Sequence, residues 1–184
     1  MTSIFLGKPD ALALRRRVTG PGWLWVWLPS IVACLVIATE STPTFSAQHT
    51  SGFLRPIFER WFGPVSDGAW ELGHHVFRKS GHFFGYGAVC LTFLRSWLYT
   101  LGLGANLSWT DWRRRATMLA LASTAVVASC DEIHQRFIPG RQGAVQDVLL
   151  DTAGGAFVCG LVWVIFWRKQ RTSDAPPARM RQKA

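Results

Sequence analysis

Four short runs of the chain carry polar residues of types that can bind charge or move protons. They are Arg78-Lys79-Ser80-Gly81-His82-Phe83-Phe84-Gly85-Tyr86, Asp131-Glu132-Ile133-His134-Gln135, Pro139-Gly140-Arg141 and Asp147-Val148-Leu149-Leu150-Asp151. At helical spacing Lys79, His82 and Tyr86 stack on one face, being three and four residues apart. Glu132 and Gln135 are three apart, and Asp147 and Asp151 are four apart. Arg141 offers a planar fork suited to phosphate or carboxylate, with Lys79 beside it as a point charge. His82, Glu132, Asp147 and Asp151 are candidate acid/base groups or oxygen-rich metal ligands. Tyr86, Gln135 and His134 complete the candidate ligand-binding set, although His134, as a loop residue, is equally read as solvated. No Ser or Cys has a convincing base beside it, so no covalent nucleophile stands out. Taken singly, each charge has a simpler structural reading: Arg141 pairing with Asp147 or Glu132 would pin a loop. Together they are more numerous than a small helical bundle needs at one end, which points to a functional pocket.

The elements that position these residues are apolar. Apolar residues make up 49% of the 184 and charged residues only 17%, with a mean hydropathy of +0.15. That excludes a disordered chain. Four Cys in 184 residues are too sparse for a disulfide scaffold. All four fall in apolar segments, where they read as small apolar residues, and no Cys-x-x-Cys pair suggests a zinc-thiolate site. Four stretches, about 23–39, 81–103, 116–133 and 146–167, are close to the roughly 17–25 residues a helix needs to cross a bilayer. Their centres show no polar face, and in lipid such segments must be helical. The expected fold is an all-α membrane protein, a four-helix transmembrane bundle over 23–167. Basic tails at 1–22 and 168–184 flank it, the second reading as disordered. A cleaved signal peptide at the first stretch is the weaker alternative, since the apolar run is long and lacks a clean small-x-small site.

Charge sets the expected orientation. The two tails and the loop carrying Arg113, Arg114 and Arg115 hold thirteen Lys and Arg against three acids. The other side, made of the loops at about 40–80 and 134–145 with the adjoining span ends, holds six Lys and Arg against eight acids, Asp131, Glu132, Asp147 and Asp151 among them. The basic side should be cytoplasmic, so both termini face in and the polar runs lie at the outer face. Nucleic-acid binding, the rival reading of a basic chain, lacks any motif around these charges. Within the long outer loop, apolar residues at 53, 54, 57, 58, 61 and 62 form one stripe of a helix, lying on the outer leaflet or packed over the bundle mouth. Trp70 to Phe77 reads as a second short helix, with His74 and His75 as polar surface. Glu40, Ser41 and Thr42 are read as capping a helix or lining the same mouth. Thr152, Ala156 and Gly160 form a small-residue ladder, with Gly154 and Gly155 beside it, that should let span four pack centrally. Arg95, deep in span two, is expected to snorkel inward.

The motifs Arg-Lys-x-x-His-Phe-x-x-Tyr (78–86), Asp-Glu-x-His-Gln-x-Phe-x-Pro-Gly-Arg (131–141) and Asp-x-x-x-Asp-x-x-Gly (147–154) resemble those of the VanZ-like membrane proteins. The resemblance runs from about Arg78 to Trp167, and residues 1–50 match only as a first span. Gly85 departs from the pattern, where many members are expected to carry an acid. The resemblance implies a bacterial multi-pass protein of the cytoplasmic membrane. Its founding member is associated with resistance to the glycopeptide teicoplanin, but no settled reaction follows. Three functions fit the residues. The first is engagement of an anionic envelope lipid or cell-wall lipid precursor, with membrane lipids as partners and no nucleic acid. The second is an enzyme acting on a lipid-linked phosphate, with Glu132 or Asp147 as base, or these acids with Asp151 and His82 as metal ligands. The third, a small transporter, is disfavoured because the acids cluster near one face. Cofactor, metal dependence, ligand and oligomeric state stay open.

Overall fold

A computed structural model describes residues 4–5, 21–102, 107–138 and 143–167. All regular structure among the described residues is helical. Helix α1 spans Gly22–Glu40, a short 3-10 turn Pro43–Phe45, α2 Ala47–Phe62, α3 Asp67–Leu101, α4 Trp109–Gln135 and α5 Val145–Val162, with a π turn at Trp163–Trp167 extending α5. Three of these, α1, α4 and α5 with its π turn, are long and apolar enough to cross a membrane. The chain is therefore a multi-pass membrane protein. Large apolar side chains such as Trp25, Leu35, Val126 and Val164 stay exposed on these helices, an amount of greasy surface that only lipid or a partner can cover.

The second apolar stretch lies inside α3, which is not among those three. It carries His82, Arg95 and several glycines, and it packs against α1, α4 and α5. On the faces that pack against those helices it can carry polar groups, because protein rather than lipid receives them. At 35 residues, α3 is about 50 Å long, well beyond the roughly 30 Å of a bilayer core. The segment Trp70 to Phe77 is therefore no separate helix but the first turns of α3. Likewise α4 begins at Trp109, so Arg113, Arg114 and Arg115 stand on a helix and not in a loop. Ser108 starts it by accepting a hydrogen bond from the Asp111 backbone N–H (3.1 Å). Arg113 is buried there between the rings of Trp109 (4.0 Å) and Trp167 (4.8 Å), a cation–π sandwich.

Glycine brings α3 and α5 together, on a face other than the expected ladder. A Cβ at Gly154 would lie 2.0 Å from the Phe83 carbonyl oxygen, and one at Gly155 would lie 3.1 Å from the Cys90 Cβ. Gly160 has open space around it, and Ala156 is exposed like it. The stripe that packs is Asp151, Gly154, Gly155, Cys159 and Val162; Ala156 and Gly160 lie one residue, about 100°, round the helix from Gly155 and Cys159. At this contact the Cys90 and Cys159 sulfurs are 3.6 Å apart. The facing stripe of α4 is equally small: Ala116, Ala120, Thr124 and Ala128.

Arg95, expected to snorkel inward, reaches the first turns of α1. Pro29, inside α1, has no N–H to give the Trp25 carbonyl four residues earlier. The Arg95 guanidinium donates to the carbonyls of Val26 (2.8 Å) and Trp25 (3.5 Å) and lies over the Tyr99 ring. Ser96 adds a hydrogen bond to the Val26 carbonyl and meets Ser30 at 3.0 Å. A polar seam thus joins α1 to α3.

Candidate functional site

The same periodicity that packs the bundle carries the acids inward. On α4 the buried stripe through Thr124 and Ala128 continues as Asp131, Glu132 and Gln135. On α5 the stripe through Cys159 and Gly155 begins at Asp151. On α3, Tyr86 is the first fully buried side chain above Val89 and Cys90, with His82 and Lys79 successive turns above it. Three helices therefore deliver ionisable groups to one pole. The opposite pole is marked by Trp167, whose indole N–H donates to the Phe5 carbonyl (2.9 Å), and by Trp109 and Arg113.

The contacts sort into three groups. Lys79 pairs with Asp147, each about a quarter to a third exposed. His82 Nδ1 stands 3.5 Å from an Asp151 carboxylate oxygen, with 31% of the His82 side chain exposed and none of Asp151. That distance suits an ion pair but is long for a hydrogen bond, and neither Asp151 oxygen has a hydrogen-bond partner. The His82 ring lies nearly parallel to that of Tyr86, 6.3 Å away. At the centre is Asp131, which accepts hydrogen bonds from Tyr86 (3.1 Å) and from the Gln135 amide (3.0 Å), and a further one from the Ser41 hydroxyl.

Glu132 has a different task. One of its oxygens accepts the Ala144 backbone N–H at 2.8 Å, while the other is buried without a partner. The approach depends on Gly143, where a Cβ would meet the Glu132 carbonyl oxygen at 2.1 Å. Glu132 thus ties the start of α5 to the end of α4.

Of the candidate residues, Lys79, His82, Tyr86, Glu132, Gln135, Asp147 and Asp151 face this cluster. His134 is exposed on the far side of the last turn of α4. Arg141 lies outside the described residues. Asp131 is the addition the structure makes: in the sequence it belongs to the run 131–135 without a role of its own, although its four-residue spacing to Gln135 and its place below Ala128 mark the inward stripe. Ser41 joins it, and Ser30 and Ser96 form a separate pair deeper between α1 and α3. His74, expected as polar surface, is buried, stacked on Trp70 at 5.6 Å and 3.2 Å from the Thr50 hydroxyl. Burial, reinforced by the Arg78 charge, holds its imidazole below the usual histidine range. Among the described residues, no three His, Cys, Asp or Glu side chains converge closely enough to hold a metal ion.

A family model, VanZ/LLP1, matches residues 24–168. The chain belongs to the VanZ/LLP1 family. The match runs from the third residue of α1 to just past the π turn after α5, and so contains every member of the polar cluster. No curated protein and no solved structure matches this VanZ-family chain significantly.

Proposed function

We propose that this VanZ-family protein is a four-span bundle with both termini in the bacterial cytoplasm. Its polar cluster opens on the outer face of the inner membrane, where it engages the headgroup of an anionic envelope lipid or a lipid-linked wall precursor. The observation that carries the reading is the gathering of Lys79, His82, Tyr86, Asp131, Glu132, Asp147 and Asp151 from three helices at one pole. Ionisable groups kept at such a place in a membrane protein mark a site of interaction more often than a structural need. Span two is α3, whose polar residues are accommodated by the helices around it. The acid-rich and base-rich sides of the sequence support the orientation.

Chemically, Lys79 is the exchangeable group. It sits at the partly exposed edge with Asp147, and an incoming phosphate or carboxylate would compete with Asp147 for its ammonium. The described cluster sets four carboxylates against Lys79 and His82, so an anion needs the bidentate fork of Arg141 as well. The test is native mass spectrometry of the protein extracted with its own lipids. An anionic lipid should be retained by the wild type and lost in Arg141→Ala and Lys79→Ala. Retention in Arg141→Ala, Arg141→Lys and Lys79→Ala alike would sink the reading. Expression of the chain in a susceptible host, with teicoplanin susceptibility as readout, tests the link to glycopeptide resistance.

One observation favours a second reading, acid/base chemistry on a lipid-linked phosphate. A fully buried Asp151 beside Nδ1 of a partly exposed His82 is an arrangement that fixes an imidazole's orientation and leaves Nε2 to exchange a proton. Turnover of such a lipid that vanishes in His82→Gln and Asp151→Asn, with lipid binding kept, would establish it.

A further inference from the structure

In the first turns of α3, before the polar cluster, the chain builds a second feature that the cluster's hydrogen bonds and ion pairs do not use. Helix α2 and the first turns of α3 form a hairpin fastened by polar contacts: the Trp70 indole N–H donates to the Ser51 hydroxyl (2.6 Å), His74 meets the Thr50 hydroxyl (3.2 Å), and Arg55, held by Glu59 of its own helix, pairs with Asp67 (2.7 Å). Between the helices lie two adjoining clefts. One, of about 420 Å³, is apolar, with Leu54, Ile57, Phe58, Trp61, Gly73 and Phe77 on its walls. The other, of about 290 Å³, is polar, with Gln48, Ser51, Glu71, His75 and Arg78. The stacked pair Trp70 and His74 lines both.

We propose that this hairpin holds one membrane phospholipid, an acyl chain in the apolar cleft and the phosphate headgroup in the polar one. Four observations carry it. The two chemistries adjoin across a shared wall, which is the shape of an amphiphile and not of a wholly apolar or wholly polar ligand. The apolar volume falls within the roughly 300–1,000 Å³ of small-molecule sites. The polar cleft is lined by Arg78, His75, Gln48 and Ser51, donors of the kind that receive a phosphate, together with the acid Glu71. Finally, the groove is continuous with the lipid-facing surface. Phe77 and Phe84 are 66% and 62% exposed along α3, and Trp61 at the rim is 78% exposed. Tryptophans such as Trp61 gather at the level of lipid headgroups, and exposed phenylalanines suit the apolar zone beneath. Gly73 and Phe77 lie roughly opposite Lys79, His82 and Tyr86 around α3, whereas Glu71, His75 and Arg78 lie on the same side as His82, one to three turns nearer the start of the helix. The acyl-chain cleft is therefore separate from the polar cluster, the headgroup cleft adjoins it, and the variants below tell the two sites apart.

The experiment uses the full chain in vesicles of phosphatidylcholine and phosphatidylglycerol containing a trace of phospholipid with a diazirine on its acyl chain. After photolysis, labelled peptides are mapped by mass spectrometry. Labelling should concentrate on residues 54–62 and 69–77 above the level on α1. In Gly73→Phe, where a Cβ meets nothing within 4 Å and the ring enters the cleft, hairpin labelling should fall about tenfold, the effect of losing roughly two buried methylene groups. Arg78→Gln should lower it through the headgroup, and it gives the answer if Gly73→Phe fails to fold. In Lys79→Gln the hairpin labelling should stay as in the wild type even where lipid retention at the polar cluster is lost. Labelling no higher than on α1, labelling unchanged in both hairpin variants, or protein–protein cross-links through α2 showing a second copy in the groove would each overturn the proposal.

Discussion

Asp131 satisfies three donors from three places: Ser41 after α1, Tyr86 on α3 and Gln135 on its own helix. Removing it strands all three in a buried site, at about 1–3 kcal/mol for each unsatisfied group in water-soluble proteins and less in membranes, where measured bonds average roughly 0.6 kcal/mol. Asp131→Ala is expected to destabilise by about 2–4 kcal/mol in total. Asp131→Asn, which keeps one acceptor oxygen, should cost less than half of that. Thermal unfolding in detergent gives both values, and equal midpoints for the two variants would contradict the hub role. His74 makes a second prediction of this kind. Its folded pKa is lowered by burial and then by Arg78, so the opened hairpin binds a proton more readily than the closed one. The closed hairpin is then fully favoured above the ordinary histidine pKa of about 6.5 and loses that advantage as pH falls below it. Once the intrinsic pH dependence of amide exchange is divided out, the protection factors of the α2–α3 hairpin should fall from pH 7 to pH 5 in the wild type, and should fall less in His74→Gln.

The helices pack where glycine lets backbones touch, and this distinguishes positions that look alike in sequence. Gly154→Ala would drive a methyl into the Phe83 carbonyl, and overpacking of that kind costs about 1–3 kcal/mol. Gly160→Ala places the same methyl in open space. It should change stability by no more than about 1 kcal/mol, and in the stabilising direction, since Ala favours a helix over Gly. Denaturation of the two variants side by side decides between the packed stripe and the expected ladder; a larger loss at Gly160 would reverse the assignment. The apolar segments and the period of the acids are legible in the sequence, because lipid imposes length and hydrophobicity on a span. The face of α5 that packs is not, because Gly154, Gly155, Ala156 and Gly160 are all small and only the partner helix selects among them. The fate of Arg95 is hidden for a similar reason: the carbonyl that Pro29 leaves without a donor lies some seventy residues away in sequence.

Across the bundle, the described ends near Phe5 and Trp167 meet at one pole, and the polar cluster lies at the other. The proposed topology, four spans with both ends in the cytoplasm, predicts that a reporter active only inside works when fused after Ala184. One active only outside should work when inserted at Val65. The reverse pattern would overturn the orientation drawn from thirteen basic residues on one side against six on the other. That the chain is helical, membrane-embedded and of the VanZ family can be read from its residues in order, because hydrophobic length and motif spacing are local properties that each segment carries alone. The same local spacing places Lys79, His82, Tyr86, Glu132, Gln135, Asp147 and Asp151 near one end. Their pairing is a property of the folded bundle: Lys79 with Asp147, His82 with Asp151, and Tyr86 and Gln135 on Asp131. Folding also turns His134 outward and His74 inward, and opens the clefts between α2 and α3. Those outcomes depend on how far each helix is rotated about its axis, and that rotation is fixed by packing against neighbours far away in sequence.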